Sequence, residues 1–191
     1  MSRLSRIPDD QMTPEQQKEW ESLLRQYTLK EDGQIGGPFD TWFRSPEMSN
    51  MMRRFGGFLW SRTSLDRGIV EFAIDVASVH WQSNYEWNAH GPRAVENGIP
   101  QSVMDELVAG KKPTSDRNDI NVAYDVCVAL LEGKALSQAL YDRAIAEFGE
   151  RGLVELCGTI GFYTTVAFTL RAFDVEPAEG QPRPFSPVAE A

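Results

Sequence analysis

The chain has 191 residues, of which 41% are apolar and 25% charged, enough to bury a sizeable core in one domain. A formal net charge of −9 and a sequence pI near 4.8 exclude nucleic acid and anionic membranes as partners held by bulk electrostatics. An anionic substrate would need a local basic pocket. Cys127 and Cys157 stand far apart in apolar helical patterns, so there is no CxxC redox pair or zinc knuckle, and both are expected to be buried, inert thiols.

The N-terminus, Met-Ser-Arg-Leu-Ser-Arg, carries no apolar signal segment, which predicts cytoplasmic residence. Thr13-Pro14-Glu15-Gln16 combines an N-cap, a proline at the first helical position and a capping-box Gln, and predicts a helix through Trp20, Leu23 and Leu24 that stops near Tyr27. Gly33, Gly36, Gly37 and Pro38 make the next stretch a loop, followed by a short apolar turn or helix at Phe39, Trp42 and Phe43. Ser45-Pro46-Glu47 opens a helix carrying Met48, Met51, Met52 and Phe55.

From Ser64, Ile69, Phe72, Ala73, Val76 and Ala77 recur at helical spacing, with Glu71, Asp75 and Ser78 on another stripe, and predict a half-buried helix. A turn at Gln82 to Asn84 precedes a helix that ends by Asn97-Gly98, with Gly98 as a left-handed cap. Pro100 opens the next. Thr114-Ser115-Asp116 is expected to cap a longer helix closed by Gly133, and Ser137 to cap another through Phe148. The last helix, from about Glu150 to Phe173, is apolar nearly all round, but its uncharged stretch from Leu156 to Leu170 is short for a membrane span, so it belongs in a core or between subunits. No segment alternates as a strand. The expected architecture is an all-α, single-domain helical bundle over residues 1–175 with a Pro-rich tail, 176–191, disordered or draped over a partner.

Chemistry concentrates in Tyr85-Glu86-Trp87-Asn88-Ala89-His90, where a carboxylate and one of two histidines lie four residues apart on one helix face. Such a pair can pass a proton, although the spacing alone also fits a solvated pair. Glu86 sits in the first turn, where the helix dipole favours its ionised form. Gly91-Pro92 directly after His90 should loosen the helix. Trp81, Tyr85 and Trp87 can wall a pocket, and His80 is a weaker candidate beside it. Glu71, Glu86, His80 and His90 match neither the zincin nor the di-iron spacing, so no metal is expected. No Gly-rich phosphate loop follows a strand, so no nucleotide cofactor is expected either.

Glu71, then Tyr85-Glu86-Trp87 and His90, then Ala94 and Gly98-Ile99, resemble the carboxymuconolactone decarboxylase family, whose wider superfamily includes the alkylhydroperoxidase D-like antioxidant proteins. Gly37-Pro38-Phe39, Ser45-Pro46-Glu47, Gly152-Leu153-Val154-Glu155-Leu156 and Gly161-Phe162-Tyr163 look like further landmarks of that family. The resemblance implies an all-helical subunit assembled as a homotrimer or homohexamer, with the site near a subunit boundary. Where the peroxidase branch carries its CxxC pair, this chain has Ser83 and Glu86, which leaves a peroxide-reducing cycle without its thiols.

The decarboxylase branch implies a lyase that needs no cofactor and acts on a small carboxylated unsaturated lactone or related acid. On that reading His90 is proton donor or electrophile, Glu86 orients it, and Glu71 is a relay behind. Tyr85, Trp87, Trp81, His80 and Arg93 are the expected substrate contacts, with Arg67 or Arg93 offsetting the charge of a carboxylate substrate. Two alternatives stay open: a non-catalytic helical protein binding a small ligand or partner, and an antioxidant protein using Cys127 or Cys157.

Overall fold

The computed structural model describes residues 2–186. After a short 3-10 turn at Asp9–Gln11, α1 (Pro14–Leu24) starts at Thr13, whose hydroxyl and Gln16 close the expected reciprocal cap. The loop that follows leads into α2 (Phe39–Trp42) and α3 (Pro46–Ser61). Asp66 caps α4 (Arg67–His80) by accepting from the Gly68 amide. Ser83 caps α5 (Asn84–Glu96), which runs on past Pro92 and ends at Gly98 with φ +88°. Then come α6 (Gln101–Val108), α7 (Asn118–Leu131) and α8 (Gln138–Ala172). Among the described residues there is no strand.

The axis of the molecule is α4. It packs on α5, α7 and α8, and residues 68–78 are all buried. The expectation of a half-buried helix is therefore wrong: with neighbours on several sides, the Glu71, Asp75 and Ser78 stripe is as sequestered as the apolar one. Ile69, Phe72, Ala73 and Val76 meet Ala94, Ile120, Ala123, Cys127 and Leu156 in the main core. A second cluster, of Trp20, Leu23, Ile35 and Phe43, anchors α1. A third, of Trp42, Leu59, Phe162, Val166 and Leu170, ties α2 and α3 to the end of α8.

At Gly149 (φ 67°, ψ 174°) α8 breaks, which separates the helix expected from the Ser137 cap through Phe148 from the one expected over about Glu150 to Phe173. By length and composition α8 could cross a membrane, but half of its most apolar window is buried inside this domain, against α4 and α7. Two local expectations need correction. Thr114-Ser115-Asp116 does not cap α7; Arg117 is the cap residue, and the Ser115 hydroxyl instead accepts from the Arg117 amide. Cys157 is exposed on α8, since only one face of that arm turns inward; Cys127 is buried as expected.

The tail also departs from expectation over its described part. Phe185 is buried edge-on to Trp87, its amide donates to the Asn84 side chain, and Asn88 donates to the Pro182 carbonyl. Residues 176–186 thus lie along α5 of their own chain, because Asn84 and Asn88 supply polar partners where a Pro-rich segment cannot pair with itself. The end of the expected tail, 187–191, lies outside the described residues.

Candidate active site

The α4–α5 contact brings the candidate residues together. One turn apart on α4, Arg67 and Glu71 form an ion pair, and the same guanidinium donates to the backbone carbonyls of Leu59 and Trp60 at the end of α3. From α5, Nδ1 of His90 lies 2.6 Å from Glu71 Oε2. The partner of His90 is therefore Glu71, across the helix interface, and not Glu86 on its own helix. Roles expected of the two carboxylates exchange: Glu71 orients the imidazole, and the side chain of Glu86 makes no hydrogen bond to it.

Burial pushes the Glu71 carboxyl upward, but the hydrogen bond and charge of His90, joined by Arg67, outweigh it and hold the group below its usual range. Burial lowers His90 most strongly, against the raising effect of Glu71. At neutral pH the pair is thus a carboxylate and a neutral imidazole, with Nδ1–H donating to Glu71. Nε2 is left for a ligand, and the ring keeps 11% of its side-chain exposure, where it borders a cavity of about 560 Å³.

Tyr85, Glu86, His90 and Arg93 from α5 line that cavity together with Tyr27, Phe39, Trp42, Met52, Trp60, Phe162 and Tyr163. The edge of His90 meets the Tyr163 ring at 4.9 Å. Gly36 and Gly37, at φ +91° and +60°, wrap the Tyr85 phenol so closely that a Cβ on either would lie 3.2 and 3.1 Å from its oxygen, so glycine is required there on two counts. At the mouth, Arg93 lies over Trp60 at 4.9 Å and, among the described residues, makes no ion pair. The other cavity guanidinium, Arg53, is already paired with buried Glu19 at 3.2 Å.

Glu86 contradicts the expectation of an ionised carboxylate. It is 2% exposed, and neither side-chain oxygen has a partner among the described residues. Burial raises its pKa from 4.5 to about 8, only slightly offset by Ser83, so it is mainly neutral at pH 7. Loss of solvation outweighs the favourable helix dipole. Asp75, one turn beyond Glu71, is fully buried and also unpartnered, and burial with the charges of Glu71 and Glu86 holds it well above the carboxylate range.

Three expected substrate contacts lie elsewhere. His80 is exposed at the end of α4 with its ring edge-on to Trp81, while Trp81 donates to Thr164 and packs on Phe168. Trp87 faces the tail, against Phe185. Helix phase explains this, since Tyr85, Glu86, Ala89, His90 and Arg93 form one stripe of α5 and Trp87 falls on another. Residue spacing did not reveal Trp60, Arg53 or Trp42 as cavity walls, because they arrive from α2 and α3; the Arg67–Glu71 spacing was the available local signal.

No family model and no curated protein matches the chain. Among solved structures, it is similar to an alkylhydroperoxidase AhpD core, an uncharacterized peroxidase-related protein from Ralstonia eutropha JMP134, with a TM-score of 0.71 over 93% of each chain at 14% identity. At that identity the likeness concerns architecture and not chemistry. The chain has the all-helical fold of the alkylhydroperoxidase AhpD core.

Proposed function

We propose that this protein is a cofactor-independent acid/base lyase that decarboxylates a small carboxylated unsaturated lactone or a closely related acid. The observation that carries the reading is the Arg67–Glu71–His90 relay, its Glu71 and His90 buried, ending at an aromatic-lined cavity with Arg93 at its mouth. Arg93 takes the substrate carboxylate, which an acidic chain could not otherwise attract. The C–C bond to that carboxylate breaks, CO2 leaves, and the electron pair moves through the conjugated double bond into the lactone carbonyl. His90, charged by a proton from solvent at Nε2, delivers that proton to ring carbon, and Glu71 stabilises the imidazolium while it exists. The cysteines support this reading over a thiol peroxidase: Cys127 is buried with its thiol pushed far up by desolvation, and exposed Cys157 is no CxxC partner for it.

We further propose a homotrimer or homohexamer and residence in the cytoplasm; exposed Met51, Val154 and Phe168 are apolar side chains that such an assembly could cover. Arg93→Ala should raise KM for carboxylated lactones about tenfold or more while changing kcat only a few-fold, because a guanidinium–carboxylate pair contributes mainly to binding. Steady-state kinetics of the native protein and Arg93→Ala with each acid checks this. An unchanged KM would remove Arg93 from the binding of the carboxylate.

A further inference from the structure

Glu86 is a buried polar side chain that borders the cavity, and the relay leaves it unused. Neither of its oxygens has a partner among the described residues, although the fold excludes solvent from 98% of the residue's surface. Buried carboxyls without a partner are costly, and one at a cavity wall is satisfied only by what enters the cavity. Burial sets its protonation. Ionised Glu71 and buried Asp75 stand on α4; of the nearby guanidiniums, Arg67 is paired with Glu71, Arg53 lines the cavity but is paired with Glu19, and Arg93 lines the cavity over Trp60. Desolvated and with no base bonded to it, Glu86 retains its proton.

We propose that Glu86 is a neutral carboxylic acid that donates a hydrogen bond to an uncharged acceptor oxygen of the ligand, the ring carbonyl of a lactone, while Arg93 holds the ligand's carboxylate. The inference rests on the proposed lyase reading and narrows its substrate class to acids that carry both a carboxylate and a carbonyl on one small ring. During decarboxylation the same O–H faces the oxygen on which dienolate charge accumulates, so its hydrogen bond strengthens as CO2 leaves. A permanently ionised carboxylate at this position would repel that oxygen. Glu86 is thereby the specificity residue for the carbonyl, and His90 the group that handles the proton.

Calorimetric titration of the full-length protein with γ-carboxy-γ-butyrolactone and with tetrahydrofuroic acid tests this, because the two acids differ only in the ring carbonyl. The native protein should bind the lactone about tenfold more tightly, one hydrogen bond's worth. Glu86→Leu should reduce that preference to within about twofold, while Glu86→Gln, whose amide also donates, should keep it. In the native protein the preference should fade as pH rises past about 8, and in Glu86→Gln it should not change with pH. Equal binding of both acids by the native protein, or a preference that survives in Glu86→Leu, overturns the role of Glu86 but leaves the acid-binding cavity standing. If neither acid binds the native protein, the lyase reading falls with it.

Discussion

Glu71→Ala should lower kcat by about a hundredfold or more and destabilise the protein by about 3 kcal/mol, effects that few other single changes in this chain should combine. Glu71 is fully buried and holds two partners, Arg67 from its own helix and His90 from α5. Its removal leaves Arg67 anchored only to the Leu59 and Trp60 carbonyls and stacked on the Trp60 ring, with its charge partly desolvated. It also releases Nδ1 of His90, so the imidazole loses both orientation and tautomer. A merely structural Glu71 would produce the loss of stability alone. The distinguishing readout is the pH profile of kcat/KM: Glu71 raises the His90 pKa, so the limb due to His90 should move to lower pH in Glu71→Ala. Glu71→Gln, which retains an acceptor for Nδ1–H but no charge, should recover part of kcat. A variant with native kinetics and an unmoved profile would show that the relay is only architecture.

Raising the pH from about 6.5 to about 8 should destabilise the native protein by about 2 kcal/mol through Glu86 alone, with the melting temperature falling by about 5 °C. A carboxyl whose folded pKa is raised from 4.5 to about 8 keeps its proton in the native state while the unfolded chain has lost it, so stability declines with pH across that interval. Buried Asp75, held well above its usual range, acts with the same sign from the ordinary Asp range upward. The lowered pKa of His90 acts in the opposite direction, but only below the ordinary histidine value of 6.5, which leaves the upper part of the window to the carboxyls. Glu71, held low, contributes stability that is lost only on the acid side of the usual Glu range. Thermal melts across this window should therefore fall more steeply for the native protein than for Glu86→Gln, and parallel curves would place Glu86 in contact with solvent or a cation.

Much of the architecture was legible because its signals are local. The Thr13 capping box, the Gly98 and Gly133 stops, the Ser137 cap and the break between 148 and 150 are each decided by a few residues of backbone geometry. The Thr114 cap failed for the same reason in reverse: Ser115 satisfied a nearby amide, and the helix began at Asn118 instead. The site was legible in membership but not in pairing. Glu71, Glu86 and His90 all sit at the α4–α5 interface, yet which carboxylate meets the imidazole depends on how two helices cross, and spacing within α5 favoured the wrong one. The helix dipole that favours an ionised Glu86 is visible in sequence, whereas the desolvation that outweighs it belongs to the packed fold. His80, Trp81 and Trp87 were misplaced by helix phase near the α4–α5 turn, and the cavity walls contributed by α2 and α3 had no local signature.

Release of CO2 from a panel of carboxylated unsaturated lactones, followed by mass spectrometry for the native protein and for His90→Ala, bears most directly on the central claim. The native protein should decarboxylate at least one lactone acid, and His90→Ala should lose about a thousandfold in rate while keeping the native oligomer and a cooperative melt, at a temperature lowered by the loss of its buried bond to Glu71. Decarboxylation that persists at the native rate in His90→Ala, or its absence for every acid offered to the native protein, would contradict that claim.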